Sequence, residues 1–123
     1  MNKVTIRDRD YPLALTVQAF SDISDLCPGR EISRLSEIET LPTAESMLLM
    51  TKMLVIMSNA AEDKLKFENE EYVSSPVTLQ AITTLSMPEY GKVIHDAQSI
   101  LIKEMSAQTV EVETKKKQVA KTK

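Results

Sequence analysis

The stretch that decides the fold is Thr43–Ala61, TAESMLLMTKMLVIMSNAA. Wound at helical pitch, Ile56, Leu49, Met53, Met57, Met50, Leu54 and Met47 gather into one apolar arc about 160° wide. A second, narrow stripe of Ala44, Leu48 and Val55 runs between the polar pairs Thr51/Ser58 and Lys52/Asn59. A helix with apolar residues on two sides needs neighbours on both, so this one belongs in the middle of a domain. Thr43 is read as its N-cap, and Glu45 suits the positive end of its dipole.

Upstream, Arg30–Leu41 carries Ile32, Leu35 and Ile38 at a spacing of three and stops before Pro42, which predicts a short helix. Thr16–Cys27 predicts another, with Ala19, Phe20, Ile23, Leu26 and Cys27 on one face and Gln18, Ser21, Asp22 and Asp25 opposite. Thr16 caps it, and Pro28-Gly29 ends it. Before that, Val4–Arg7 and Tyr11–Leu15 alternate apolar and polar as two short strands around an Asp8-Arg9-Asp10 turn. Pro12 cannot donate to a ladder, which makes its strand an edge.

Downstream, Glu62–Ser75 is charged and reads as an exposed connection, helical at most at its start. Ser75-Pro76 opens a short helix through Leu85, with Pro in the tolerated first turn. Ser86-Met87-Pro88-Glu89 is a capping box for a last helix to about Ala107, buried along Tyr90, Val93, Ile94, Ala97, Ile100, Leu101 and Met105. The predicted class is mainly α (α+β): a short N-terminal β-hairpin and four to five packed helices in one domain over 1–107. A disordered basic tail is expected over 108–123.

Composition narrows the chemistry. The 123 residues are 42% hydrophobic and 27% charged, which fits a globular chain with a core of its own. With no Trp, two Phe and three Tyr against seven Met, that core is aliphatic. Residues 1–108 hold 10 Lys/Arg and 16 Asp/Glu, a net of −6, whereas 109–123 hold five Lys and two Glu. An acidic body repels phosphates, so no specific nucleic-acid partner is expected. The opening MNKVTIRDRD lacks the apolar run of a secretion signal, and no apolar run approaches the roughly 20 residues that span a bilayer. Neither a membrane partner nor an oxidising compartment is indicated, and the default reading is a cytoplasmic protein.

Nothing in the residue inventory assembles into catalysis, so the chain is not read as an enzyme, and no catalytic, metal or cofactor residue is assigned. His95, the sole histidine, falls on the polar side of the last helix, with only Gly91 and Ser99 among its i±4 neighbours. A general base there lacks a positioned partner. Cys27 lies on an apolar face at a helix C-terminus, where the dipole disfavours a thiolate. Asp8/Asp10, Asp22/Asp25 and Glu68–Glu71 do not match a calcium loop, and Gly29 and Gly91 are too few for a phosphate cradle. Met47, Met50, Met53 and Met57 share one arc. They either fill an aromatic-poor core, the preferred reading, or line a pliable binding surface.

The order of elements resembles the tail assembly chaperones of long-tailed bacteriophages and related prophages over about residues 3 to 107. The resemblance is carried by Tyr11-Pro12-Leu13 running into TVQAFSDISDLCPG (Thr16–Gly29), then MLLMTKMLVIMSNA (Met47–Ala60), a charged connection, a short helix from Thr78 and a final amphipathic helix. It implies a protein that binds the tape measure protein in the host cytoplasm and keeps it soluble during assembly, and that is absent from the virion. It also implies a longer form, made by ribosomal frameshift, that engages the tail tube protein. Lys115-Lys116-Lys117 suits an A-rich slippery site. A groove for an amphipathic helix is lined by Leu or Met, and the partner-binding candidates are Met47, Leu48, Met50 and Val55. Self-association through the same stripes is left open. The alternative function is a small nucleic-acid-binding or regulatory helical protein, against which the acidic body counts.

Overall fold

The computed structural model describes residues 2–121, and side chains through Ser106. The elements run β1 (Lys3–Ile6), β2 (Arg9–Pro12), α1 (Val17–Leu26), a 3₁₀ turn at Pro28–Arg30, a 3₁₀ segment at Ile32–Thr40, α2 (Thr43–Glu68), α3 (Leu79–Thr83) and α4 (Met87–Lys121). The class is therefore mainly α with one N-terminal hairpin. The backbone of α4 runs to Lys121, past the end expected near Ala107 and into the tail expected to be disordered over 108–123, and no side chain beyond Ser106 is described.

α2 is the hub. It packs against β2, α1, the 3₁₀ segment, α3 and α4, while β1 closes over α4. Its buried side chains run from Met53 and Ser46 round through Met57, Ala61 and Leu54 to Ser58, Thr51 and Glu62, about half its circumference. The central placement holds, but the second stripe does not provide it: Ala44 and Leu48 are exposed and Val55 is half-buried. The polar side does not behave as expected: Thr51 and Ser58 are buried, whereas Lys52, Asn59 and Leu48 face solvent. Thr43 does not cap the helix. Pro42 takes the cap position, and its carbonyl accepts from the Ser46 amide at 2.9 Å. α2 also runs seven residues past Ala61, absorbing the first part of the charged connection.

The hairpin is tighter than its sequence suggested. Ile6 pairs with Arg9 and Val4 with Tyr11, so the loop is the two residues Arg7-Asp8, not Asp8-Arg9-Asp10. Both loop residues have positive φ, 50° and 68°, as a type I′ turn requires. This register buries Val4, Ile6 and Tyr11 on one face. On the other face, Asp10 accepts from Lys3 Nζ at 2.8 Å and Thr5 Oγ1 at 2.6 Å. β2 ends at Pro12. Leu13–Leu15 continue as buried extended chain, and the Ala14 amide donates to the Met57 carbonyl of α2 at 3.2 Å.

α1 forms where expected, but Phe20, read onto its packing face, is 38% exposed, and Leu26 is only half-buried. Thr16 Oγ1 accepts from the Ala19 amide, and Ala19, Ile23 and Cys27 are buried. Pro28 cannot continue the helix, and Gly29 turns the chain at φ 65°, where a Cβ would meet Arg34 Nη1 at 3.0 Å. The short helix near residue 80 begins later than Ser75-Pro76. Thr78 caps it, accepting from the Ala81 amide. The capping box forms as read: Glu89 Oε1 accepts from the Ser86 hydroxyl at 2.7 Å and, at 3.4 Å, from its amide. Those bonds hold the Glu89 carboxyl below its ordinary pKa.

Candidate binding groove

The segment Ile32–Thr40 is where residue spacing shapes a site. A strict spacing of three is the period of a 3₁₀ helix, in which i and i+3 eclipse. Ile32, Leu35 and Ile38 therefore form a straight apolar ridge along nine residues of 3₁₀ helix. An α-helix would carry the same residues round its axis. Ile38 is fully buried and anchors the ridge to the core, while Ile32 and Leu35 stand half-buried. Arg34 grips Glu37 in two parallel bonds of 2.7 and 2.9 Å on the far side. Opposite lies the α4 wall of Gln98, Leu101, Ile102 and Met105, and between them Met50 and Met53 of α2 make the floor. Gln98 Nε2 donates to Met50 Sδ and ties wall to floor.

The space enclosed is a half-open groove of about 590 Å³. That volume falls within the range of ligand pockets and far exceeds what a trapped water needs. The lining is apolar apart from Gln98, three rim serines (Ser33, Ser36 and Ser106) and Glu39. Glu39 is the one charged lining residue, and it has no ion-pair or hydrogen-bond partner among the described residues. Ile102, at 61% exposure, is the most open of its apolar side chains.

Of the four binding candidates, Met50 lies in the groove. Met47 sits beside α4 instead, where its carbonyl accepts from Tyr90 Oη and Thr51 Oγ1. Leu48 is 49% exposed and Val55 half-buried, and neither lines the groove. Of the methionine arc, Met57 is core, while Met53 is buried and also floors the groove with Met50. The sequence reading missed Ile102. The available signal was an isoleucine beyond the continuous buried face of α4, one residue past Leu101.

The residues weighed for chemistry are dispersed. His95 is exposed on α4. Cys27 is buried, its thiol donates to the Ile23 carbonyl at 3.3 Å, and burial pushes its pKa up, away from a reactive thiolate. Among the described residues no three His, Cys, Asp or Glu side chains converge as a metal site would require, and no helix is long and apolar enough to cross a membrane. Glu62, 3% exposed, was expected on the surface. It lies buried next to Tyr72 of the connection 69–78, and its Oε2 has no hydrogen-bond partner among the described residues. Comparison with family models, with curated proteins and with solved structures finds no match to this chain.

Proposed function

We propose that this protein is a tail assembly chaperone. It binds apolar helical segments of a tape measure protein, keeps them soluble until tube subunits enclose them, and then leaves. The observation that supports this reading is the open apolar groove between the 3₁₀ ridge and α4, floored by Met50 and Met53. Its pliable methionines and parallel walls suit the stripe of an amphipathic helix presented at i, i+3, i+4 and i+7.

Magnitudes favour a transient partner. Burying three aliphatic anchors yields about 5–9 kcal/mol. Association costs about 4–15 kcal/mol in lost freedom and side-chain ordering. The surplus is small, so binding is weak and reversible for a single segment and strengthens only when several chaperones coat one long helix. A protein that must be stripped away during assembly requires that balance.

The test is co-expression with a long helical tape measure protein that is insoluble alone. The expected result is a soluble complex recovered by affinity tag on either partner. A tape measure protein that stays insoluble, with nothing co-purifying, sinks the proposal.

A further inference from the structure

We propose that the groove selects helices whose apolar stripe is bordered by a lysine or arginine, and that Glu39 is the residue that reads this charge. This deepens the chaperone reading and rests on the same groove. Glu39 stands near the end of the 3₁₀ wall, exposed, and carries the sole charge among the described lining residues. The neighbouring acid Glu37 is already held by Arg34, and its carboxyl lies below its ordinary pKa for that reason. Glu39 has no such partner among the described residues. The remaining polar lining atoms belong to three serines and Gln98, which carry no charge to oppose a cation. Residues 1–108, Glu39 included, carry a net charge of −6. A helix with an acidic border meets repulsion from both the rim and the body. One with a basic border gains a partner at the rim and long-range attraction during approach.

The occupant is thus a single amphipathic helix with a cationic flank, and selection works partly by rejecting the anionic one. The experiment uses the full chain and two synthetic helical peptides with identical leucine stripes, one flanked by lysines and one by glutamates. Affinity is read by fluorescence anisotropy at low and high salt. The lysine peptide is expected to bind about fivefold tighter at low salt, with the preference shrinking as salt screens it. Glu39→Gln flattens the preference, and Glu39→Lys reverses it, with circular dichroism confirming the fold. Equal binding of both peptides, lost in Ile102→Glu but unmoved by Glu39→Lys, overturns the charge inference and leaves the groove standing. No binding of either peptide overturns the groove itself.

Discussion

At the residue scale, hydrogen bonding explains how Thr51, a polar residue beside the apolar arc of α2, comes to be buried. Thr51 Oγ1 donates to the Met47 carbonyl, and Tyr90 Oη, donating to the same carbonyl, lies 2.8 Å from each oxygen. Each group taken from water here regains a partner, which makes burial tolerable. Tyr90→Phe removes one member of this trio while keeping the ring, and we expect a loss of about 1–2 kcal/mol in urea unfolding. An unchanged midpoint would show that the hydroxyl contributes nothing net. The hairpin supplies a second test, because Asp8 sits at φ 68°, where most side chains are strained. Asp8→Gly is expected to stabilise by about 0.5 kcal/mol, since the relief exceeds the added freedom of the unfolded chain only slightly. Asp8→Val should cost about 1–2 kcal/mol, because a β-branched side chain fits the left-handed region worst. If both variants unfold at the same denaturant concentration as the parent, the turn is not under strain.

At the element scale, two segments owe their form to what they meet in three dimensions. Ile32–Thr40 has apolar residues every third position, a pattern that α and 3₁₀ helices share over so short a span. The segment packs against α1 and α2, with Ile38 buried in the core, and those contacts are invisible to a linear period. The connection 69–78 looked like solvated charge. It is instead pinned from below: the Val77 amide donates to Ser58 Oγ at 2.8 Å, and Arg9 reaches the Ser75 carbonyl from the hairpin. Lys66 Nζ adds bonds to the carbonyls of Glu70 and Tyr72. Linear patterning could not announce this, because the anchors lie across the fold from the residues they hold. Buried Glu62 beside the phenol raises the Tyr72 pKa above its ordinary value near 10. A group with a raised folded pKa contributes fully below its unfolded pKa and loses that contribution as pH rises through the folded value. Stability should therefore fall as the pH climbs past about 10, and the phenol absorbance of Tyr72 should titrate late. Tyr72→Phe should remove that part of the alkaline slope in thermal melts. An identical slope in the variant would place the sensitivity elsewhere.

At the scale of the whole molecule, the legible part was whatever one helix face could state alone. α2 as hub, the Thr16 cap, the Pro28-Gly29 stop and the Ser86/Glu89 box each follow from local chemistry. The groove is different in kind, because it is the stretch of apolar surface that no element covers. Leu48 and Val55 had the better-isolated stripe, yet packing left Met50 and Ile102 beside the gap and placed Leu48 outside it. Period alone identifies apolar faces; which of them stays open depends on the lengths and crossings of the others. This sets up a direct contest between two surfaces. Ile102 and Leu48 are both about half exposed or more, so a charge at either should leave the fold intact, with stability changed by no more than about 0.5 kcal/mol. Ile102→Glu buries a carboxylate in the wall of any occupied groove and is expected to weaken capture of an apolar helical partner at least about tenfold. Leu48→Glu is expected to bind as the parent does. Should Leu48→Glu abolish capture while Ile102→Glu leaves it whole, the partner docks on the minor stripe of α2, and the groove is an unused gap between the 3₁₀ ridge and α4.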